Sequence, residues 1–242
     1  MNNINPITQP KTALNNKNTQ NNKNKVAIGS FVGTAIGIAG SLAGVYALAK
    51  KGNPSISLKK FSFAEKDILM LGAGSVAGGL AGGLIADHNK DNVKPKLREA
   101  SQQFFGNIAA PLGFLTAGNK LLEKSGFKLP QIKSESKPAK IANAVLNVIP
   151  KTVVTVVSLI SGMEIGNKVM NKVNNKIFKE DVKHDVKIED YLVHADDLCL
   201  TANMLLKNAK PISAVTSKVL PLTFLLSGSK TGMQGSKNTK EV

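Results

Sequence analysis

The sequence predicts an all-α membrane protein, built on a glycine-rich transmembrane hairpin with additional amphipathic or marginally apolar helices. Three observations carry this prediction. Two neighbouring segments, Val26–Ala49 and Ile68–Ala86, hold no charged residue. Their glycines lie inside the apolar runs, where a water-soluble helix would avoid them. Trp is absent and aromatics make up only 5% of the chain, so the large side chains that fill a soluble core are scarce.

Taken in order, residues 1–25 are almost entirely Asn, Lys, Gln, Thr and Pro. Such a segment has too little apolar surface to offset its ordering entropy and is expected to be a disordered polar tail. Val26–Ala49, bounded by Lys25 and Lys50, reaches about 36 Å as a helix, enough to cross a hydrocarbon core of about 30 Å. Ala47-Leu48-Ala49 has the small-x-small form of a signal-peptide cleavage site, but the apolar run exceeds the roughly 7–15 residues of such peptides. Ile68–Ala86, bounded by Asp67 and Asp87, is weakened by Gly72, Gly74, Gly78, Gly79, Gly82 and Gly83, and is expected to insert against the first span. Residues 26–87 therefore form the hairpin.

Residues 88–227 read as a helical region with marginal membrane segments. Phe104–Ala117 contains Asn107 and Pro111 and suits a re-entrant, interfacial or buried core helix. Ile141–Gly166 carries Lys151 and Glu164, leaving Thr152–Met163 free of charge for only about 18 Å. Val219–Ser227 is shorter still and holds Pro221. Helices are expected near 26–50, 65–87, 95–123, 139–178, 188–208 and 212–227. Breaks fall at Gly52-Asn53-Pro54, between Gly126 and Pro138, and between Asn208 and Pro211. Thr152–Ile160 is rich in Val and Thr but has no partner strand. Residues 228–242 read as a second disordered tail.

A net charge of +16 invites a nucleic-acid reading. Only Arg98 among the 32 basic residues is an arginine, and aromatics that would stack on bases are sparse, so no nucleic-acid partner is expected. A solitary Cys199 excludes an internal disulfide and any multi-cysteine metal site.

Ile68-Leu69-Met70-Leu71 followed by Gly72-Ala73-Gly74-Ser75-Val76-Ala77 resembles the first strand, turn and helix of a Rossmann dinucleotide domain. The resemblance implies a nucleotide-dependent oxidoreductase using Gly72–Ala77. The polar stretch after Asp87 cannot supply the buried second strand that fold requires, and no βαβ alternation follows. The same glycines fit a helix-packing zipper better. Gly74, Gly78 and Gly82 recur every four residues, as do Gly29, Gly33 and Gly37, continued by Ser41, with Gly40 and Gly44 alongside. Such faces let two helices approach closely in lipid, or pair between copies of the chain as a homo-oligomer.

The run from Asn167 to Phe178 is a four-residue repeat, Asn-Lys-Val-Met, Asn-Lys-Val-Asn, Asn-Lys-Ile-Phe. On a helix it aligns Lys168, Lys172 and Lys176 beside Val169, Val173 and Ile177, a pattern suited to anionic lipid headgroups. The ordinary alternative is a solvated amphipathic helix. Asp190, His194 and Asp197 share a helical face and could serve a hydrolase or a metal, but acids near a helix start are also favoured by its dipole. No catalytic residue, metal or cofactor is assigned.

The expected function is that of a non-enzymatic integral membrane protein of structural, scaffolding or assembly type, partnered by the bilayer. The alternatives are a membrane-associated enzyme and a transporter or pore component. The expected location is the cytoplasmic membrane of a bacterium. Basic residues flanking the hairpin slightly favour both tails in the cytoplasm.

Overall fold

The computed structural model describes residues 11–55, 63–179, 186 and 210–235, and no strand occurs among them. The helices are α1 (Lys11–Gly52), α2 (Glu65–Ala86), α3 (Val93–Ser101), a π-helix (Gln102–Ala109), α4 (Ala110–Ser125), α5 (Lys137–Phe178) and α6 (Lys210–Met233), with a 3-10 turn at Lys90–Asn92. Three stretches are long and apolar enough to cross a membrane: Gln20–Gly52, Glu65–Ala86 and Lys137–Phe178.

Local chemistry accounts for the ends. Past the last turn of α1, Asn53 N–H donates to Ala49 O (2.9 Å) and the Asn53 side chain accepts Ser55 N–H (3.2 Å). The Asp67 carboxylate accepts Ala64 N–H (2.9 Å) at the start of α2. Gly126 closes α4 in the left-handed conformation, φ 60°, which a side chain would strain. Ser136 caps α5, with Pro138 in its first turn. Thr152–Ile160 is helical, its Val and Thr overridden by packing within α5.

Pro111 explains the π-helix. It has no N–H to donate, and its ring crowds the carbonyl one turn back. The backbone widens ahead of it, so that Ala110 N–H reaches the Phe105 carbonyl five residues earlier. The helix expected near 95–123 is thus a continuous rod, Val93 to Ser125, and Phe104–Ala117 lies within it.

The rods lie side by side. α1 and α2 run antiparallel, Gly29 near Gly82, Gly33 near Gly78 and Gly37 near Gly74. α6 runs parallel to α2, with Phe224 against Gly72, Gly228 against Gly79 and Gly232 against Gly83. The α3–π–α4 rod runs antiparallel to α2. It is tied to α2 by Lys96 at Gly83, Ile108 at Gly72 and Thr116 at Glu65. α5 lies outside this rod and antiparallel to it, Gly166 on Gly106 and Ser158 beside Gly118. Ile38, Leu71, Val76, Ile108, Leu112, Leu159 and Phe224 form the apolar core.

α1 extends upstream of the apolar run to Lys11. One difference from the sequence expectation stands out. α6 continues through Gly228 to Met233, where a tail was expected, because Gly228, Ser229, Thr231 and Gly232 are buried against α1 and α2.

Candidate functional site

Three structural features concentrate the chemistry: a small-residue seam, a buried amide network and an outward lysine stripe. In the seam, a Cβ at Gly33 would run into the Gly78 carbonyl, and one at Gly78 into the Gly33 carbonyl. Gly74 faces Gly37 and Ser41. The two glycine stripes of α2 serve different neighbours. Gly74, Gly78 and Gly82 face α1, whereas Gly79 and Gly83 face Gly228 and Gly232 of α6.

Hydroxyls stitch the same seam. Ser30 Oγ donates to Ser229 O (2.6 Å) and lies 3.2 Å from Gly79 O. Ser75 Oγ donates to Phe224 O (2.5 Å), and Thr231 Oγ1 lies 3.3 Å from Val76 O. Each hydroxyl is satisfied by a carbonyl, so its burial carries little desolvation penalty.

Gly40 and Gly44, expected on the packing face, meet no backbone of the neighbouring helix. Gly40 meets nothing within 4 Å, since three residues beyond Gly37 it is turned about 60° off the stripe. A Cβ on Gly44 would reach only ordinary van der Waals contact with the Met70 methyl, 3.9 Å away.

The amide network lies between the π-helix, α5 and α6. Asn167 Nδ2 donates to Asn107 Oδ1 (2.6 Å) and Met163 O (2.8 Å), and its Oδ1 accepts from Gln102 Nε2. Gln103 Nε2 donates to Glu99 (2.9 Å), while Gln103 Oε1 accepts from Asn107 (3.1 Å) and Ser227 (3.0 Å). Asn174 donates to Gln102 Oε1 (3.1 Å) and accepts from Ser101 (2.7 Å). Asn107 is fully buried, and Gln102, Gln103, Asn167 and Asn174 nearly so. The sequence reading missed this network. Its signal was present as Gln102, Gln103 and Asn107 one turn apart, matched by Asn167 and Asn174 two turns apart on a second helix.

At the end of α2, Lys96 Nζ donates to Asp87 Oδ2 (2.6 Å) and Gly83 O (2.9 Å), neutralising the negative helix terminus. Burial acts to raise the Asp87 pKa. Hydrogen bonds from Lys96, the Asn89 amide and Asn92, with the Lys96 charge, outweigh it and hold the carboxyl below its ordinary 3.8.

Lys168, Lys172 and Lys176 all point outward, beside exposed Val169, Val173 and Ile177. Lys168 lies 3.5 Å from Glu164. These lysines do not lie beyond the end of α2. Through Asn167–Asn107 and Asn174–Ser101, they stand alongside the stretch of α2 from Gly72 to Gly83.

The Gly72–Ala77 motif is mid-helix throughout, without the strand or turn that would expose backbone amides to a pyrophosphate. That removes the structural basis of the oxidoreductase alternative. Asp190, His194 and Asp197 lie outside the described residues. Among the described residues, no group of His, Cys, Asp or Glu could hold a metal ion. Comparisons with known protein families, curated proteins and solved structures find no match to this chain.

Proposed function

We propose that this chain is an integral membrane protein of structural, scaffolding or assembly type, whose helices associate through the glycine faces of α1, α2 and α6. One observation carries the reading: large apolar side chains stand outward on the apolar helices while polar ones are enclosed between them. Ile28, Phe31, Ile36 and Ile85 stand exposed, Ile85 at 80%, whereas Ser30, Thr34, Ser75 and Asn107 are fully buried. Water would reverse that distribution, whereas lipid leaves apolar faces outside and requires polar groups to be satisfied within.

Headgroup contact falls to the lysines at the end shared by the start of the α1 span and the α2–α3 turn, Lys25 and Lys90. Membrane fractionation with an alkaline carbonate wash tests the proposal. Retention in the pellet is the expected result, and full release into the supernatant would refute it.

A second reading, a transporter or pore component, draws on the amide network at the depth of α2. The amide oxygens of Gln102, Gln103, Asn107, Asn167 and Asn174 each accept a hydrogen bond from a neighbour, which suits helix association better than a hydrated path. Flux of a small ion into liposomes holding the purified chain would favour this reading.

A further inference from the structure

At the end of the bundle where α1 stops and α2 starts, the α4–α5 pair projects as an arm. Thr116 of α4 lies beside Glu65, the first residue of α2, its Oγ1 2.7 Å from the carboxylate. From there α4 runs on to Ser125, about 13 Å further. α5 meets α4 where Ser158 stands against Gly118, and from that level it reaches back to Lys137, about 32 Å along the helix. α1, aligned on α2 through Gly37 and Gly74, ends at Gly52, only about 9 Å past the level of Glu65. The connection between α4 and α5 folds back onto α5. Ile132 N–H donates to Asn143 Oδ1 (2.7 Å), Asn143 Nδ2 donates to Ile132 O (2.9 Å), and Gln131 Nε2 donates to Asn147 Oδ1 (3.2 Å). With Ser136 capping α5, these bonds make the arm a built element.

Its surface is cationic and apolar at once. Lys120, Lys124, Lys128, Lys133, Lys137 and Lys140 stand exposed against Glu123 and Glu135. Interleaved with them, Leu121, Phe127, Ile132 and Ile141 are uncovered as well, at 47–73% exposure. The headgroup layer of a bilayer extends only about 5–8 Å beyond its hydrocarbon core, so the bilayer crossed by α1 and α2 stops short of Phe127, Ile132 and Ile141. Uncovered apolar side chains of that size, rimmed by charge, mark an interaction surface.

We infer that this arm docks on the anionic face of a second bilayer, an inference that rests on the reading that α1 and α2 cross a first. Charge and composition together choose this occupant. Every cation of the arm is a lysine, a point charge that adds to a diffuse headgroup field and lacks the fork that pairs with single carboxylates. Phe, Leu and Ile set among lysines are the side chains of a segment that enters the boundary between headgroups and acyl chains. The first turns of α5 also open the stretch Lys137–Phe178, which is apolar enough for a membrane, yet they stand past the ends of α1 and α2.

The full chain held in a fluorescent nanodisc of phosphatidylcholine provides the test. Such discs should float with vesicles containing phosphatidylglycerol and stay behind with vesicles of phosphatidylcholine alone. Lys128→Gln with Lys133→Gln should weaken capture roughly twentyfold, about fivefold for each lysine lost. Lys172→Gln with Lys176→Gln removes the same charge from the other end of α5 and should leave capture unchanged. Phe127→Ser with Ile132→Ser should weaken it at constant charge. Equal capture by the two kinds of vesicle, or equal loss from the two lysine pairs, would overturn the inference. A bimane at Phe127→Cys, in a Cys199→Ser chain, should be quenched by brominated lipid in the vesicle. Quenching by brominated lipid in the disc would overturn the inference in favour of the first bilayer. Binding of polyglutamate by discs that ignore anionic vesicles would overturn it in favour of an acidic protein. A disc that holds the chain yet captures no vesicle overturns the docking alone and leaves the carbonate result standing, so the two readings fail separately.

Discussion

Asn167→Leu is the sharpest probe of how the helices are held together. Asn167 is 2% exposed, and leucine keeps its branched four-atom side chain while its methyls take more room than the amide. What changes is satisfaction. Gln102 Nε2 loses its acceptor at Asn167 and Asn107 Oδ1 loses its donor, both deep between the π-helix and α5. Each stranded group costs about 1–3 kcal/mol, about 2–6 kcal/mol for the pair. In lipid the unfolded reference also finds partners, which lowers a typical interhelical bond to about 0.6 kcal/mol. The low end of the range, about 2–3 kcal/mol, is therefore expected. For a chain of this size it corresponds to a fall in melting temperature of roughly 4–12 °C, read by differential scanning fluorimetry in mild detergent. The triple variant Gln102→Leu, Asn107→Leu, Asn167→Leu should recover part of that loss, because no partner is stranded within the triad. A single variant that melts within about 1 °C of the parent would refute the argument.

Two further predictions follow from the seam and from the ion pair. Gly78→Leu drives a side chain into the backbone of Gly33 and should sharply reduce disulfide crosslinking between α1 and α2. Gly40→Leu, which meets open space, should leave it unchanged, and equal effects would deny the seam its role. Asp87 has a folded pKa below its ordinary 3.8, so its contribution to stability is complete above that value and is lost as pH falls through the lowered one. The melting temperature should decline below about pH 4, and Asp87→Asn should remove that component of the decline. At neutral pH, Asp87→Asn should destabilise by about 3–5 kcal/mol through the uncompensated Lys96, and Asp87→Leu with Lys96→Met should recover most of it.

The helices themselves were largely legible from periodicity and punctuation. Gly52-Asn53-Pro54 ends α1, Gly126 ends α4, and α5 spans nearly the predicted range. Legibility failed where an element draws its identity from a distant partner. Val219–Ser227 looks too short to matter, and only the groove offered by Gly79, Gly83 and Ser30 makes Gly228-x-x-x-Gly232 a helix face. Hydropathy marks Gln102, Gln103 and Asn107 as polar without revealing that Asn167, more than 50 residues away, satisfies two of them.

Composition and local spacing determined that this chain is helical, that two segments are apolar without charge, and that small residues recur at the interval of helix contact. Those properties belong to single segments, where backbone hydrogen bonding and the 3.6-residue turn act alone. Tertiary structure decided which glycine stripe meets which helix, that Gly40 meets none, and that amides from two rods close on one another. It also decided that the lysines of α5 stand beside the seam and not at its end. Each of these depends on the crossing and stagger of rods far apart in sequence, and on the need of every buried polar group to find a partner once water is excluded.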